Sequence, residues 1–187
     1  KFHDGSQTAA DPELLDRYGS DPERPWSADM ILRGVPYVVL TFMYDREVFS
    51  GLPRVRFEAE GVPLYDPRLD STVGGSGAHR WTDKATWAWT ENPVVMAYNI
   101  LRGIELPDGS IWGMRAAAAD LPLSVWFAAM NACDEDVPLD GGGTEKRYRA
   151  GLEVKVDEEP LAVIEELMRA CGGDVVEFGG YWHVSVG

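Results

Sequence analysis

The chain has 187 residues, 45% of them hydrophobic, including 7 Trp, 7 Tyr and 6 Phe. That length allows one domain or two small ones and buries roughly 70% of the surface the unfolded chain exposes. With this apolar content, a disordered or low-complexity chain is excluded. Lys and Arg total 17 against 31 Asp and Glu, a formal net charge of −14. A field of this sign repels phosphate backbones and anionic lipid surfaces, so nucleic-acid or membrane binding through a basic face is not expected.

No apolar run approaches the roughly 18–20 residues of a membrane span, and no signal peptide is visible. These features predict a soluble globular protein. The chain begins at Lys1, not Met, as expected of a fragment of something longer. Cys133 and Cys171 fall in separate predicted helices without CxxC spacing. They read as apolar helix residues, and a disulfide linking them is the other reading.

Residues 1–34 read as a loosely structured N-terminal arm, rich in turn formers and charges, with Asp11-Pro12, Asp21-Pro22 and Arg24-Pro25. Pro12 can open one short helix through Leu14 and Leu15, and Trp26 is a candidate anchor. An arm of this kind can equally wrap a neighbouring chain. Residues 35–91 read as a β-rich part with a Gly/Trp-rich loop. Val35–Tyr44 is β-branched and aromatic on both faces, which predicts a buried strand. Arg54–Glu60 alternates, with Val55, Phe57 and Ala59 on one face and Arg54, Arg56, Glu58 and Glu60 on the other, which predicts a strand with one wet face. Asp45–Pro53 connects the two. The loop Gly74-Gly75-Ser76-Gly77 supplies backbone freedom, and Trp81, Trp87 and Trp89 follow it.

Residues 92–187 form the third part, of mixed α and β character. Asn92-Pro93 sets a capping side chain before a proline at the first helical position, and Gly103 ends that helix, whose apolar face holds Val94, Tyr98 and Leu101. Pro122 starts a second helix with Leu123, Phe127 and Met130 on one stripe. Leu152, Val154 and Val156 alternate with charged residues as in a strand. Pro160 starts a third helix with Leu161, Ile164, Met168 and Cys171 inward and Glu165, Glu166 and Arg169 outward. Asp174–Phe178 and Tyr181–Val186 flank Gly179-Gly180, a two-residue hairpin turn. The predicted fold class is α+β: a β-rich N-terminal part, then helices and a strand–helix–β-hairpin unit, the two parts sharing a sheet.

Catalytic machinery is not apparent. His3, His79 and His183 are scattered, and HExxH, GxSxG, Walker and GxGxxG patterns are missing. The acidic run Asp134-Glu135-Asp136, then Asp140 and three glycines, invites a metal reading. Its carboxylates are adjacent where a calcium loop alternates them, and Pro138 stiffens its middle, so a solvated loop is expected. The tryptophans suit either a core or a carbohydrate platform. The residues by themselves assign no catalytic, cofactor-binding or metal-binding position and no cofactor.

Gly61-Val62-Pro63-Leu64-Tyr65-Asp66-Pro67-Arg68, followed by Trp89-Thr90-Glu91-Asn92-Pro93 opening a helix, resembles the tip attachment (host specificity) proteins of lambda-like tailed bacteriophages. In that family a G-x-x-V-Y-D-P-R … W-S-D-N-P stretch joins a β-rich part to helices. Further matches follow the same order: Gln7 and Trp26 in the arm, Val38–Phe49 with Gly51 and Pro53, Asn131-Ala132-Cys133-Asp134-Glu135, and Pro160–Gly173 with Gly179-Gly180-Tyr181-Trp182. The family's members are several times longer, and Leu69–Ala88 is longer and richer in Trp than their usual connection. Prophages and phage-derived gene transfer agents carry similar hub proteins. The resemblance implies a structural, non-enzymatic component of the tail tip, made in the bacterial cytoplasm and carried on the virion tail. Its implied partners are other tail proteins, a host surface receptor, and copies of itself as a homotrimer in the full-length protein, with no nucleic acid and no membrane insertion. The alternatives are a carbohydrate- or receptor-binding module using Trp81, Trp87 and Trp89, and a cell-wall hydrolase built on acidic residues.

Overall fold

Helices form where the sequence carries its own start and stop devices, and among the described residues three of the four strand pairs join segments close along the chain. The computed structural model describes residues 1–43, 45–48, 51 and 53–187. Tyr44, at the end of the expected first strand, and Phe49, Ser50 and Leu52, in the expected connection, lie outside the described residues. The fold is α+β, with four α-helices and eight short strands among the described residues. It divides into two compact units, Lys1–Phe57 and Glu58–Gly187.

In the first unit, strand β1 (Phe2–His3) pairs antiparallel with β2 (Tyr37–Val38), and helix α1 spans Pro12–Tyr18. The helix starts as expected from Asp11-Pro12: Asp11 accepts from the Glu13 and Leu14 N–H groups at 2.9 and 3.1 Å. Asp11 is buried, and Lys1 Nζ and His3 Nε2 reach its other oxygen at 2.6 and 2.7 Å. The Lys1 hydrogen bond, against the cost of desolvation and with help from His3, holds the Asp11 carboxyl well below the ordinary carboxylate range. His3 stacks on Tyr37 at 4.4 Å, and Gln7 Nε2 donates to the Leu32 and Val35 carbonyls. The arm is therefore pinned at Asp11 and along residues 37–39.

Among the described residues of the Val35–Tyr44 run, only the two of β2 enter a sheet, a correction to the long buried strand expected there. β1 offers no longer partner, and Leu40, Phe42 and Met43 are exposed.

The second unit is built on helix α2 (Pro93–Arg102), which is buried along most of its circumference between two others. Asn92 caps it as predicted, accepting from Val94 and Val95 N–H at 3.0 and 3.2 Å. Gly103 ends it with φ +97°. The hairpin of β3 (Ile104–Glu105) and β4 (Ile111–Trp112) then brings the chain back so that Met114 and Ala116 N–H groups satisfy the Ile100 and Leu101 carbonyls at 3.0 and 2.8 Å. Gly113 permits this return. A Cβ there would lie 2.3 Å from the Ile100 carbonyl oxygen, and its φ is +124°.

Helix α3 (Leu123–Cys133) buries Trp126, Ala129, Met130 and Cys133; of the expected stripe, Met130 is buried and Leu123 packs on the core, whereas Phe127 gives its place to Trp126. It is held between α2 and the C-terminal hairpin, so the Trp126 face turns inward. The indole donates to the Trp182 carbonyl at 3.0 Å and meets Tyr98 edge-on at 5.5 Å. The expected acidic loop is instead the hairpin β5 (Asp136–Pro138) and β6 (Thr144–Lys146).

Helix α4 (Pro160–Ala170) buries Val163, Ile164, Leu167 and Met168 with Cys171 just beyond it, while Glu165, Glu166 and Arg169 face outward. Strands β7 (Asp174–Phe178) and β8 (Tyr181–Ser185) close the chain around Gly179 and Gly180, both at positive φ. Cys133 and Cys171 are free thiols in the same core, not the linked pair of the other reading. The neighbouring Cys171 thiol, together with burial, pushes the Cys133 thiol up.

The sheets are four separate antiparallel pairs, which corrects the shared sheet. Arg54–Glu60 and Leu152–Val156 enter none of them, so both expected strands are corrected too. Each has the alternation of a strand, but no partner strand lies alongside among the described residues. Leu152 and Val154 still pack on the core, whereas Val156 is exposed.

Asn92 also donates to the Met130 carbonyl at 2.9 Å in a buried setting, so it joins α2 to α3. Asn92→Ala should cost about 1–2 kcal/mol, the sum of a lost cap and one lost buried hydrogen bond to a carbonyl that keeps its Asp134 N–H partner. Asn92→Ser, which keeps a capping oxygen and loses the amide donor, should fall between. Urea midpoints at unchanged slope measure both; equal loss for the two variants would deny the cap its share.

Candidate functional site

The segment 64–70 crosses the second unit's core as a turn and has to satisfy its buried backbone without a sheet. Leu64 exchanges two hydrogen bonds with Ala88. Tyr65 N–H donates to Asn99 Oδ1 at 3.1 Å, and Asn99 Nδ2 donates back to the Tyr65 carbonyl at 2.8 Å. The Asp66 N–H donates to His79 Nδ1 at 3.1 Å. The Asp66 side chain then caps a short 3₁₀ turn, Pro67–Leu69, through the Arg68 N–H.

Arg68 is the centre of the polar part. Its guanidinium contacts Asp66 and Asp134 at 2.6 Å each and donates to Asn131 Oδ1 at 2.9 Å. The opposing carboxylates outweigh the desolvation of the guanidinium, so Arg68 is held more firmly charged than usual. One side chain thus ties the Tyr65–Arg68 turn to the C-terminal end of α3, where Asn131–Glu135 lies.

On the other side of the turn, Asp70 is buried. It accepts from the Tyr65 hydroxyl at 2.7 Å, from Thr72, and from Arg80 at 3.0 Å. Burial would raise the Asp70 carboxyl, but the Thr72 and Tyr65 hydrogen bonds and the Arg80 charge together leave it below its ordinary value. Burial first, then the bond to Asp70, pushes the Tyr65 phenol well above its usual range. The Gly-rich loop closes over these groups: Ser76 N–H and His79 N–H donate to the Arg68 and Leu69 carbonyls at 2.7 and 3.0 Å. A Cβ on Gly75 would fall 2.3 Å from the Arg68 carbonyl oxygen.

The three tryptophans separate. Trp81 and Trp87 pack at 5.5 Å from each other and both lie on Tyr65, with Arg102 over the Trp81 ring at 4.3 Å. Trp87 Nε1 donates to the Arg80 carbonyl at 2.8 Å. Trp89 is 43% exposed and stands apart from them, lining an open cleft of about 1230 Å³ with Met96, Ile100, Trp112, Leu152 and Leu167.

The carboxylates of the acidic run are divided among separate cations: Asp134 with Arg68, Glu135 with Arg147 at 2.8 Å and Asp136 with Lys146 at 2.8 Å. Asp140 is exposed in the hairpin turn. Among the described residues no group of three or more His, Cys, Asp or Glu is placed to hold a metal ion, and no helix is long and apolar enough to cross a membrane. His3, His79 and His183 lie on Asp11, under Asp66 and in β8, and the structure does not bring them together.

Arg68, Asn99 and Asp70 carry the arrangement, and none of the three stands out in the residue pattern. The only signal for Arg68 was its place in Tyr65-Asp66-Pro67-Arg68.

Arg68→Ala should destabilise the second unit by about 3 kcal/mol, because Asp66 and Asp134 are left facing each other without a cation. Arg68→Lys should recover only part of this, since an ammonium cannot span three acceptors as the guanidinium fork does. Chemical denaturation measures both, and full recovery by Lys would show that charge alone is at work. Asp70 gives a pH dependence. Its folded pKa is below the ordinary 3.8, so the native state binds fewer protons, and its contribution is complete above pH ~4 and fades as pH falls through the folded value. Melting temperature followed from neutral to acid pH should fall less steeply in Asp70→Asn than in the wild type; parallel curves would remove Asp70 from the acid limb.

No protein-family model matches the chain, and no curated protein sequence matches it.

Proposed function

We propose that the chain is a structural, non-enzymatic part of a bacteriophage or prophage tail tip, from the hub or tip attachment protein that assembles the tail end and contacts the host. The observation that supports this reading is how the residues behind the family resemblance are used. Tyr65–Arg68, Asn92-Pro93 and Asn131–Glu135, far apart in sequence, meet around α2 and α3. There Arg68 joins Asp66 to Asn131 and Asp134, and Asn92 joins the start of α2 to Met130. Each of these polar side chains holds one backbone segment against another, the role expected of motif residues in a scaffold. The chain then needs no cofactor. Its partners are other tail proteins, further copies in the homotrimer of the full-length protein and a host surface receptor, and its place is the virion tail.

Immunogold electron microscopy of particles induced from the source strain, with antibodies that bind the native chain, tests this. Gold at the distal tail tip is the expected result. Absence of label from both intact and dissociated tails would overturn the reading and favour the carbohydrate- or receptor-binding module, for which Trp89 at the cleft is the candidate contact.

A further inference from the structure

Residues 53–63 contain no helix, strand, turn or bend, and among the described residues their backbone groups enter no backbone–backbone hydrogen bond. A row of unpaired N–H and C=O groups is a template for another strand. The side chains are equally unpartnered. Val55 and Phe57 are 43% and 63% exposed, and Arg54, Arg56, Glu58 and Glu60 form no ion pair among the described residues.

The order of these residues is self-complementary. With two copies laid antiparallel about Phe57, Arg54 stands opposite Glu60 and Arg56 opposite Glu58, each pair occurring twice by symmetry. On the other face Val55 stands opposite Ala59, and Phe57 opposite Phe57. Directly opposed residues of an antiparallel pair share a face and interact, so every charge meets its opposite and every apolar side chain meets another.

The neighbouring alignments are poorer. Moving the centre to Glu58 keeps Arg56 opposite Glu60 but sets Glu58 against Glu58, and moving it to Arg56 keeps Arg54 opposite Glu58 but sets Arg56 against Arg56. A half-step sets charged residues against the apolar face. Parallel pairing in register opposes like charges throughout.

We propose that this stretch is a homotypic interface in which residues 54–60 of two copies of the chain pair as antiparallel strands centred on Phe57. The contact is isologous, with the same residues of each copy meeting about a two-fold axis. The proposal does not rest on the tail reading, since a two-fold pair is a different assembly from a threefold hub.

Sedimentation of the full 187-residue chain, over a dilution series reaching about 1 mM, tests it. The wild type should dimerise. Arg54→Glu with Arg56→Glu, and separately Glu58→Arg with Glu60→Arg, should each weaken the dimer at least about tenfold by replacing attraction with repulsion at every charged pair. An equimolar mixture of the two variants should dimerise again, because one presents four acidic and the other four basic residues to the shared face. Chains carrying Arg54→Cys mixed with chains carrying Glu60→Cys should crosslink under mild oxidation, and Arg54→Cys alone should not, which fixes the register. A wild type that stays monomeric throughout, a dimer indifferent to charge reversal, or a mixture that stays monomeric would each overturn the pairing. A trimer unaffected by both variants would overturn it while leaving the tail reading intact.

Discussion

The second unit depends on the satisfaction of polar groups that α2 takes into the core. A helix buried on nearly all sides would ordinarily be apolar throughout, yet α2 carries Asn99 at its centre and Asn92 at its start, both buried. Each is spent on the backbone of another segment. Asn99 gives the buried Tyr65 peptide both an acceptor and a donor, the service a neighbouring strand would render. It also donates to the Val95 carbonyl one turn back at 2.8 Å. An irregular segment can cross a core only if its N–H and C=O groups are answered there, since each unanswered one costs about 1–3 kcal/mol. The asparagines of α2 are what allow the 64–70 turn to be interior.

Once that turn is interior, its side chains have to be neutralised in place. Asp66 and Asp70 lie on either side of the 3₁₀ turn and are both buried. Arg68 and Arg80 answer them from within the same stretch of chain. Arg68 has donors left over, and these reach Asn131 and Asp134 at the end of α3. The consequence is that a local charge requirement fixes a long-range distance. Trp81 and Trp87 then cover Tyr65, and Arg102 at the end of α2 covers Trp81. Aromatic packing, cation and capping side chains all converge on one loop.

The helices were legible because their determinants are local. Asn92-Pro93, Gly103, Pro160 and the Gly172-Gly173 stop act within a few residues of where they stand, and the Gly179-Gly180 turn sets the register of the last hairpin by itself. The strands at 35–44, 54–60 and 152–156 were misread for the opposite reason. Alternation shows that a segment could sit at the surface of a sheet, but a ladder needs a partner, and the partner is not encoded in the segment. The α3 face was misassigned at Phe127 on similar grounds: α3 is apolar almost all round, so its neighbours decide which side is buried. At the site, the Arg68–Asp134 contact spans 66 positions, and no spacing rule reaches that far. The tryptophans could be read as a cluster but not as two packed rings and a separate exposed one.

The segment 54–60 sharpens this point, because there the missing partner and the pattern agree. A net charge of −14 makes any two copies repel at long range, which argues against self-association through a generic apolar patch. The two effects act over different distances. At physiological salt the Debye length is about 8 Å, so most of the charge spread over each copy is screened from the other. Side chains directly opposed across a strand pair have Cβ atoms about 5 Å apart, inside that length, and there the local order Arg-x-Arg-x-Glu-x-Glu dominates. The stretch itself carries two positive and two negative charges and is neutral. Contact at this segment thus escapes the repulsion that protects the rest of the surface, and the antiparallel register centred on Phe57, with four opposite-charge pairs, gains most from doing so.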